Sequence, residues 1–360
     1  MTNENKQATV ITVLESLNTA LHRAFAFDER VILLGEDVLD PYGGAFKVTR
    51  GLSSKYPERV LTTPISEAGI VGVAAGLALR GMRPVVEIMF GDFLTLSADQ
   101  LINHAAKFRW MYNDQVRVPL VVRTPMGARR GYGPTHSQTL EKLFLGVPGL
   151  RILSPAALGD PGELLFQVII KSEDPVLFVE NKLLYLLPLD ENTTLQEFTI
   201  QNWQVGDHPL PQGLSSPLSL FPPAPGYSLS LRGAPQPMLT IAAYGYMAEL
   251  ARQASRKLAY EHEIFTELVV PTQLAPFQID AILESARTTG RLLVVEEGSL
   301  TSGWGAEVLA RTAESPAIKL HHARRLAARD LPLPASAPLE NALLPGVDEI
   351  VRAVLSMVIK

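Results

Sequence analysis

Leu61-Thr62-Thr63-Pro64-Ile65-Ser66-Glu67-Ala68-Gly69-Ile70-Val71-Gly72 puts one carboxylate where a loop turns into a helix. Pro64 closes what precedes it and biases Thr63 towards an extended shape. Ser66 has the side chain of an N-cap, which sets Glu67 in the first helical turn. From Ala68 to Leu79 every residue is small or apolar, with Gly69, Gly72 and Gly76 on neighbouring turns. This pattern predicts a buried helix that another backbone can approach. A carboxylate at its mouth is costly unless something binds it. Two roles are open to Glu67 on this pattern: charge capping of the helix N-terminus, or ligand binding in a dry site.

Working outward, short apolar runs alternate with helical periodicity. Val31-Ile32-Leu33-Leu34 is a buried strand that runs into Gly35-Glu36-Asp37. Tyr42 to Phe46 is a glycine-bearing loop. Pro84 to Phe90 is the next strand, Leu94 to Tyr112 a long amphipathic helix, and Val118 to Thr124 another strand. A Gly-rich loop from Pro125 to Pro134 follows, then Arg151 to Leu153, a helix from Pro161 to Lys171, and Val176 to Val179. Such alternation predicts an α/β fold with mostly parallel sheets and helices on both faces. Residues 188–237 hold eight prolines after position 208, and the reading is a linker or partly ordered excursion. A second alternating series starts at Met238, so the expected division is 8–187, 188–237 and 238–360. Ligands of such sheets gather at the carboxyl ends of the strands. Glu36, the Phe90–Phe93 stretch and the loop after Thr124 all fall there.

Composition narrows the function classes. The 360 residues are 47% hydrophobic and 19% charged, which is globular rather than disordered. The net charge of -5 and the absence of a basic run argue against a nucleic-acid surface. There is no cysteine, which excludes disulfides, thiolate nucleophiles and Cys-based metal sites. No apolar run reaches transmembrane length, and the polar start lacks a signal-peptide core, so a cytoplasmic home is expected. The neighbours His321 and His322 cannot share one helical face, so no metal site is expected there.

Several dispersed motifs now line up. They are Leu34-Gly35-Glu36-Asp37, Thr63-Pro64-Ile65-Ser66-Glu67, Asp99-Gln100-Leu101-Ile102-Asn103 with Ala105-Ala106-Lys107, and His136-Ser137-Gln138. Pro148-Gly149-Leu150, Asp174-Pro175-Val176, Thr289 to Leu293, and Leu339-Glu340 with Leu344-Pro345 continue the series. Together they resemble the beta subunit of the thiamine-diphosphate-dependent decarboxylating component of 2-oxoacid dehydrogenases. The resemblance covers nearly the whole chain apart from the Pro-rich segment.

It implies a transketolase-like pyrimidine-binding domain followed by a transketolase C-terminal domain. It also implies that Glu67 hydrogen-bonds the aminopyrimidine ring of thiamine diphosphate and helps it take the proton from the thiazolium carbon. Glu36, Ile65, Met89 and Phe93 would line the cofactor pocket. His136 matches the active-site histidine, and a neutral imidazole suits proton transfer; the alternative is a histidine that only bonds within its loop. Arg129 and Arg130 would clamp a substrate carboxylate, or else be solvated surface charges. Relatives bind a structural potassium ion near the Asp174-Pro175 turn, and Ser172 in place of the usual Asp counts against it here.

Thiamine enzymes hold the diphosphate through magnesium with a Gly-Asp-Gly motif and a later Asn. Gly91-Asp92-Phe93 and Gly206-Asp207-His208 are the nearest stretches, and neither has the second glycine. The chain is therefore expected to supply half of the site. An alpha subunit would bring magnesium and the diphosphate ligands in an alpha2-beta2 assembly, and a lipoyl acyltransferase would take the acyl group. The alternative is a two-subunit thiamine-dependent carboligase of a biosynthetic pathway.

Overall fold

Every residue of the Val31–Gly35 run is buried, as expected for a strand covered by helices on both faces. In the computed structural model, which describes residues 11–189, 195–205 and 223–358, this strand (β1) lies inside a seven-stranded sheet. Its companions are β2 (Val60–Thr62), β3 (Arg83–Glu87), β4 (Val121–Met126), β5 (Arg151–Leu153) and β6 (Val176–Asn181). These six are parallel, in the spatial order β5-β6-β4-β3-β1-β2. The Val13–Phe27 helix packs on one face and starts with a reciprocal Thr12–Glu15 capping box. The Glu67–Leu79 helix packs on the other.

The region expected to be a linker carries regular structure. Phe198–Val205 (β7) and Ala224–Leu231 (β8) form an eight-residue antiparallel ladder. The prolines do not prevent this because most lie outside the two runs. Pro225 stands opposite Gln204 near the strand end, where a lost N–H is tolerated. Pro209, Pro211, Pro217 and Pro222 and the Gly206-Asp207-His208 stretch lie outside the described residues.

The ladder extends the second sheet. That sheet adds β9 (Leu239–Ala243), β10 (Thr266–Pro271), β12 (Arg291–Ser299) and β13 (His322–Ala328), in the order β13-β12-β9-β10-β8-β7. Its first four strands are parallel. Between β10 and β12, Gln273–Ala275 (β11) leaves this sheet and pairs antiparallel with β5. The second half of the chain thus completes the sheet of the first. One apolar cluster also crosses between the halves, joining Ile70, Val86 and Val122 to Tyr244, Val269, Leu274 and Trp304.

The Leu94–Tyr112 helix is not continuous. A 3-10 turn (Phe93–Ser97) leads into a π-helical stretch (Gln100–Ala105) and then an α-helix (Ala106–Met111). The His104 ring contacts the Asp99 carbonyl at 3.2 Å, five residues back. The Glu67–Leu79 helix also differs from expectation. Ile70, Val71, Ala74, Ala75 and Ala78 are buried, whereas Gly69, Gly72, Val73 and Gly76 are exposed. Its apolar residues go round the whole helix, and only one face meets this chain's sheet.

Two carboxyl groups are buried at the seam between the halves. Glu141 and Glu296 are 0% and 1% exposed, and each has an Oε2 without a hydrogen-bond partner. The Tyr244 hydroxyl donates to Glu141, and Gly305 N–H to Glu296 Oε1 at 3.0 Å. Burial, opposed by the Gly305 N–H and reinforced by the charge of Glu141, pushes Glu296 from 4.5 up to about 7. A carboxyl whose folded value is raised stabilises fully below its unfolded value, and that contribution is lost as pH rises through about 7. Gln has no proton to lose. The Glu296→Gln chain is therefore expected to gain on wild type between pH 5 and pH 8, by on the order of 3 kcal/mol. Urea unfolding at the two pH values measures this, and equal differences at both would refute it.

Candidate active site

The carboxyl ends of β1 to β4 and β6 open on one side, and each delivers a candidate side chain there. β1 runs into Glu36 and β2 into the Thr63–Glu67 turn. β3 leads to Met89, Phe90, Asp92 and Phe93, β4 to the loop that ends at His136, and β6 to Lys182. Ser66 sits at the N-cap position, but its hydroxyl makes no cap hydrogen bond. Glu67, the first helical residue, is 4% exposed.

Glu36 and Glu67 lie within electrostatic reach of one another. Burial raises the Glu36 carboxyl above its ordinary value, and the negative charge of Glu67 raises it further, against the pull of the Ser66 N–H. Glu36 Oε1 is buried and has no hydrogen-bond partner. Beside them the Ile65 side chain is 85% exposed, although it is large and apolar. An orphaned carboxylate oxygen, a second acid and an uncovered isoleucine fit the polar and apolar edges of an aminopyrimidine ring. Met89 and Phe93 are half-buried at the same end.

His136 closes a four-residue helical turn, Gly133–His136. Its Nδ1 lies 3.0 Å from both carboxylate oxygens of Asp92. The ring stacks on Phe90 at 4.4 Å between centroids, and Phe93 meets it edge-on at 5.3 Å. Its main-chain carbonyl accepts from the Lys182 ammonium.

The loop that carries His136 is tied to the second half of the chain. Glu297 accepts from Ala128 N–H at 2.9 Å and from the Asn181 side chain. Glu340, 1% exposed, accepts from Arg129 N–H at 2.9 Å and Gly131 N–H at 3.4 Å. Gly127 starts the loop with φ +99°, and a Cβ there would fall 2.5 Å from the Asn181 side chain, so only glycine fits. Arg129 holds the loop through its side chain, while its buried Nε has no hydrogen-bond partner among the described residues. Its guanidinium donates through Nη1 to Asn341 Oδ1 and through Nη2 to the Pro345 carbonyl, which anchors the loop. Arg130 is exposed and makes no ion pair among the described residues.

Beneath the site, Arg123 on β4 holds two glutamates from the flanking strands. It donates to both oxygens of Glu180 at 2.8 and 2.7 Å and to Glu87 at 2.8 Å. Tyr185 O–H donates to Glu180 at 2.6 Å. All four side chains are buried. Gly44 packs on this cluster with φ +78°, where a Cβ would fall 2.3 Å from Glu87 Oε1.

At the Asp174-Pro175 turn, Arg83 donates to the Ile169 and Ser172 carbonyls, and Arg109 to the Asp174 carboxylate. A potassium ion there would sit against two guanidinium groups, so the turn does not fit one. Among the described residues no group of three His, Asp or Glu side chains is placed to hold a metal. No helix among them is long and apolar enough to cross a membrane.

Asp92, Lys182, Glu297 and Glu340 were not read as site residues from the sequence. Asp92 is the acid of the Gly91-Asp92-Phe93 stretch, considered above for magnesium and found here on His136. Glu296 and Glu297, two acids directly after the apolar run Leu292–Val295, were the available signal. Nothing local marks Lys182.

Comparison with known proteins follows the same lines. "Transketolase, pyrimidine binding domain" matches residues 9–187, and "Transketolase, C-terminal domain" matches residues 230–350. The mitochondrial pyruvate dehydrogenase E1 component subunit beta-1 of Arabidopsis thaliana is 37% identical, over 95% of this chain and 88% of that protein. The acetoin:2,6-dichlorophenolindophenol oxidoreductase subunit beta of Cupriavidus necator is 33% identical, over 95% and 96%. A solved split gene transketolase, an inactive beta4 tetramer, shares the fold with a TM-score of 0.68 at 20% identity, over 97% of this chain and 98% of that one. The chain belongs to the family of beta subunits of thiamine-diphosphate-dependent 2-oxoacid dehydrogenases.

Proposed function

We propose that this chain supplies the pyrimidine side of a thiamine diphosphate site, completed by an alpha subunit, that decarboxylates a 2-oxoacid and passes the acyl group to a lipoyl acceptor. The observation that carries the proposal is the electrostatically coupled acids Glu36 and Glu67 beside an uncovered Ile65, with His136 on the same open side. When bound, the cofactor would supply an electron sink at its thiazolium carbon. Glu67 would hold a proton on a pyrimidine ring nitrogen, with the Glu36 carboxyl beside it. Ile65, Met89 and Phe93 would cover the ring and exclude water. His136 offers Nε2 to an oxygen of the substrate as donor or acceptor. Arg130 is the remaining guanidinium for a substrate carboxylate. Magnesium and the diphosphate would be held by the partner, since the sequence here has no complete Gly-Asp-Gly motif.

The test is co-expression with the candidate alpha subunit, then 2-oxoacid turnover with a lipoyl acceptor and with an aldehyde. Turnover with the lipoyl acceptor alone supports the proposal; product from the aldehyde alone assigns a carboligase instead. In the active assembly His136→Ala is expected to keep cofactor affinity while turnover falls roughly a hundredfold or more. Wild-type turnover would return His136 to a loop-bonding role.

A further inference from the structure

We propose that Asp92 and Lys182 are positioning residues for His136, Asp92 fixing the tautomer and Lys182 the place of the ring. The proposal rests on the reading of His136 given above.

An ionised carboxylate only accepts hydrogen bonds. With Nδ1 at 3.0 Å from both Asp92 oxygens, the ring hydrogen belongs on Nδ1, and the neutral ring keeps its lone pair on Nε2. Nε2 has no partner among the described residues, and the side chain is 33% exposed. Phe90 and Phe93 restrict the ring's rotation. Asp92 is itself held in the turn after β3, where its carbonyl accepts from Thr95.

Lys182 is 0% exposed and has no carboxylate within ion-pair distance among the described residues. Its Nζ lies 5.4 Å from the Phe90 ring centroid and 5.2 Å from that of Tyr132, and it donates to the His136 carbonyl. A buried ammonium so weakly compensated costs stability that a methionine would not. What it does in return is bind the histidine's main chain and the aromatic ring under its imidazole at one point. Glu297, Asp92 and Glu340 favour its charge and Arg130 opposes it, and burial lowers it to about 8. Tyr132 and His136 are the other titratable groups that face it. Above that pH the ammonium, and with it the ring contacts, is lost.

The experiment uses the assembled, cofactor-saturated enzyme. Asp92→Asn is expected to lower kcat roughly tenfold to a hundredfold, with KM and cofactor affinity within about twofold. Asp92→Glu should recover part of that loss. Combined with His136→Ala it should add nothing to the His136→Ala loss, because both act through one group. Lys182→Met should be slow at every pH and lack the fall in kcat expected of wild type above about pH 8. Nitrogen-15 spectra of the histidine-labelled full chain, assigned with His136→Ala, read the tautomer without any turnover. The Nδ1–H form in wild type and its loss in Asp92→Asn support the proposal, even where a variant fails to assemble. Unchanged kcat in Asp92→Asn and Lys182→Met beside a slow His136→Ala would overturn it and leave the role of His136 standing. A wild-type rate in His136→Ala would overturn both.

Discussion

An assembled enzyme carrying Glu67→Gln is expected to fold, to hold its cofactor, and to exchange the hydrogen on the thiazolium carbon roughly a hundredfold or more slowly than wild type. Gln keeps the length and two of the hydrogen-bonding modes of Glu, but it cannot give up or take a proton. The residue begins its helix at 4% exposure, so water cannot readily replace the lost group. Hydrogen–deuterium exchange at that carbon, followed by NMR, isolates this step from decarboxylation. Wild-type exchange in an intact Glu67→Gln assembly would reduce Glu67 to a charge at a helix N-terminus. The same variant also removes the charge that raises Glu36, so the Glu36 carboxyl should titrate lower in it.

Arg123→Met should be among the most destabilising single changes in the chain. It strands Glu87 and Glu180, both buried, with no cation between them. Breaking a buried pair from one side typically costs about 3–5 kcal/mol, a large share of the ~5–15 kcal/mol that holds a domain folded. Restoring neutrality should restore stability. The triple variant Arg123→Met with Glu87→Gln and Glu180→Gln is expected to regain much of the loss, since no charge is then left unpaired. Urea unfolding compares the three chains. A loss below about 1 kcal/mol in Arg123→Met would show that water reaches these carboxylates.

What the sequence showed and what it hid follow from the range of the interactions. Strands such as Val31–Gly35 were legible because burial on both faces leaves a continuous apolar run, and that signal is local. The β7–β8 ladder was obscured by prolines that lie mostly between and after its strands. The partition of the 93–111 stretch into 3-10, π and α pieces is set by which backbone hydrogen bonds close, which propensity does not encode. Glu67 and His136 could be named from motifs. Their supports could not, because Asp92 and Lys182 stand 44 and 46 positions from His136 and meet it only in the folded chain. The anchoring of Arg129 was hidden for the same reason, as its partners Asn341 and Pro345 come from the far end of the sequence.

The strand Gln273–Ala275 has a consequence for synthesis. Until a ribosome has added residue 275, β5 stands as the open edge of the first sheet, although every other strand of that sheet is complete by Asn181. At roughly 5–20 residues per second, the intervening ~90 residues take about 5–20 s. For that interval a nascent chain offers an unpaired strand that any extended segment could join. A slow stretch of translation between residues 182 and 272 should therefore raise the aggregated fraction, whereas the same delay placed after residue 280 should not.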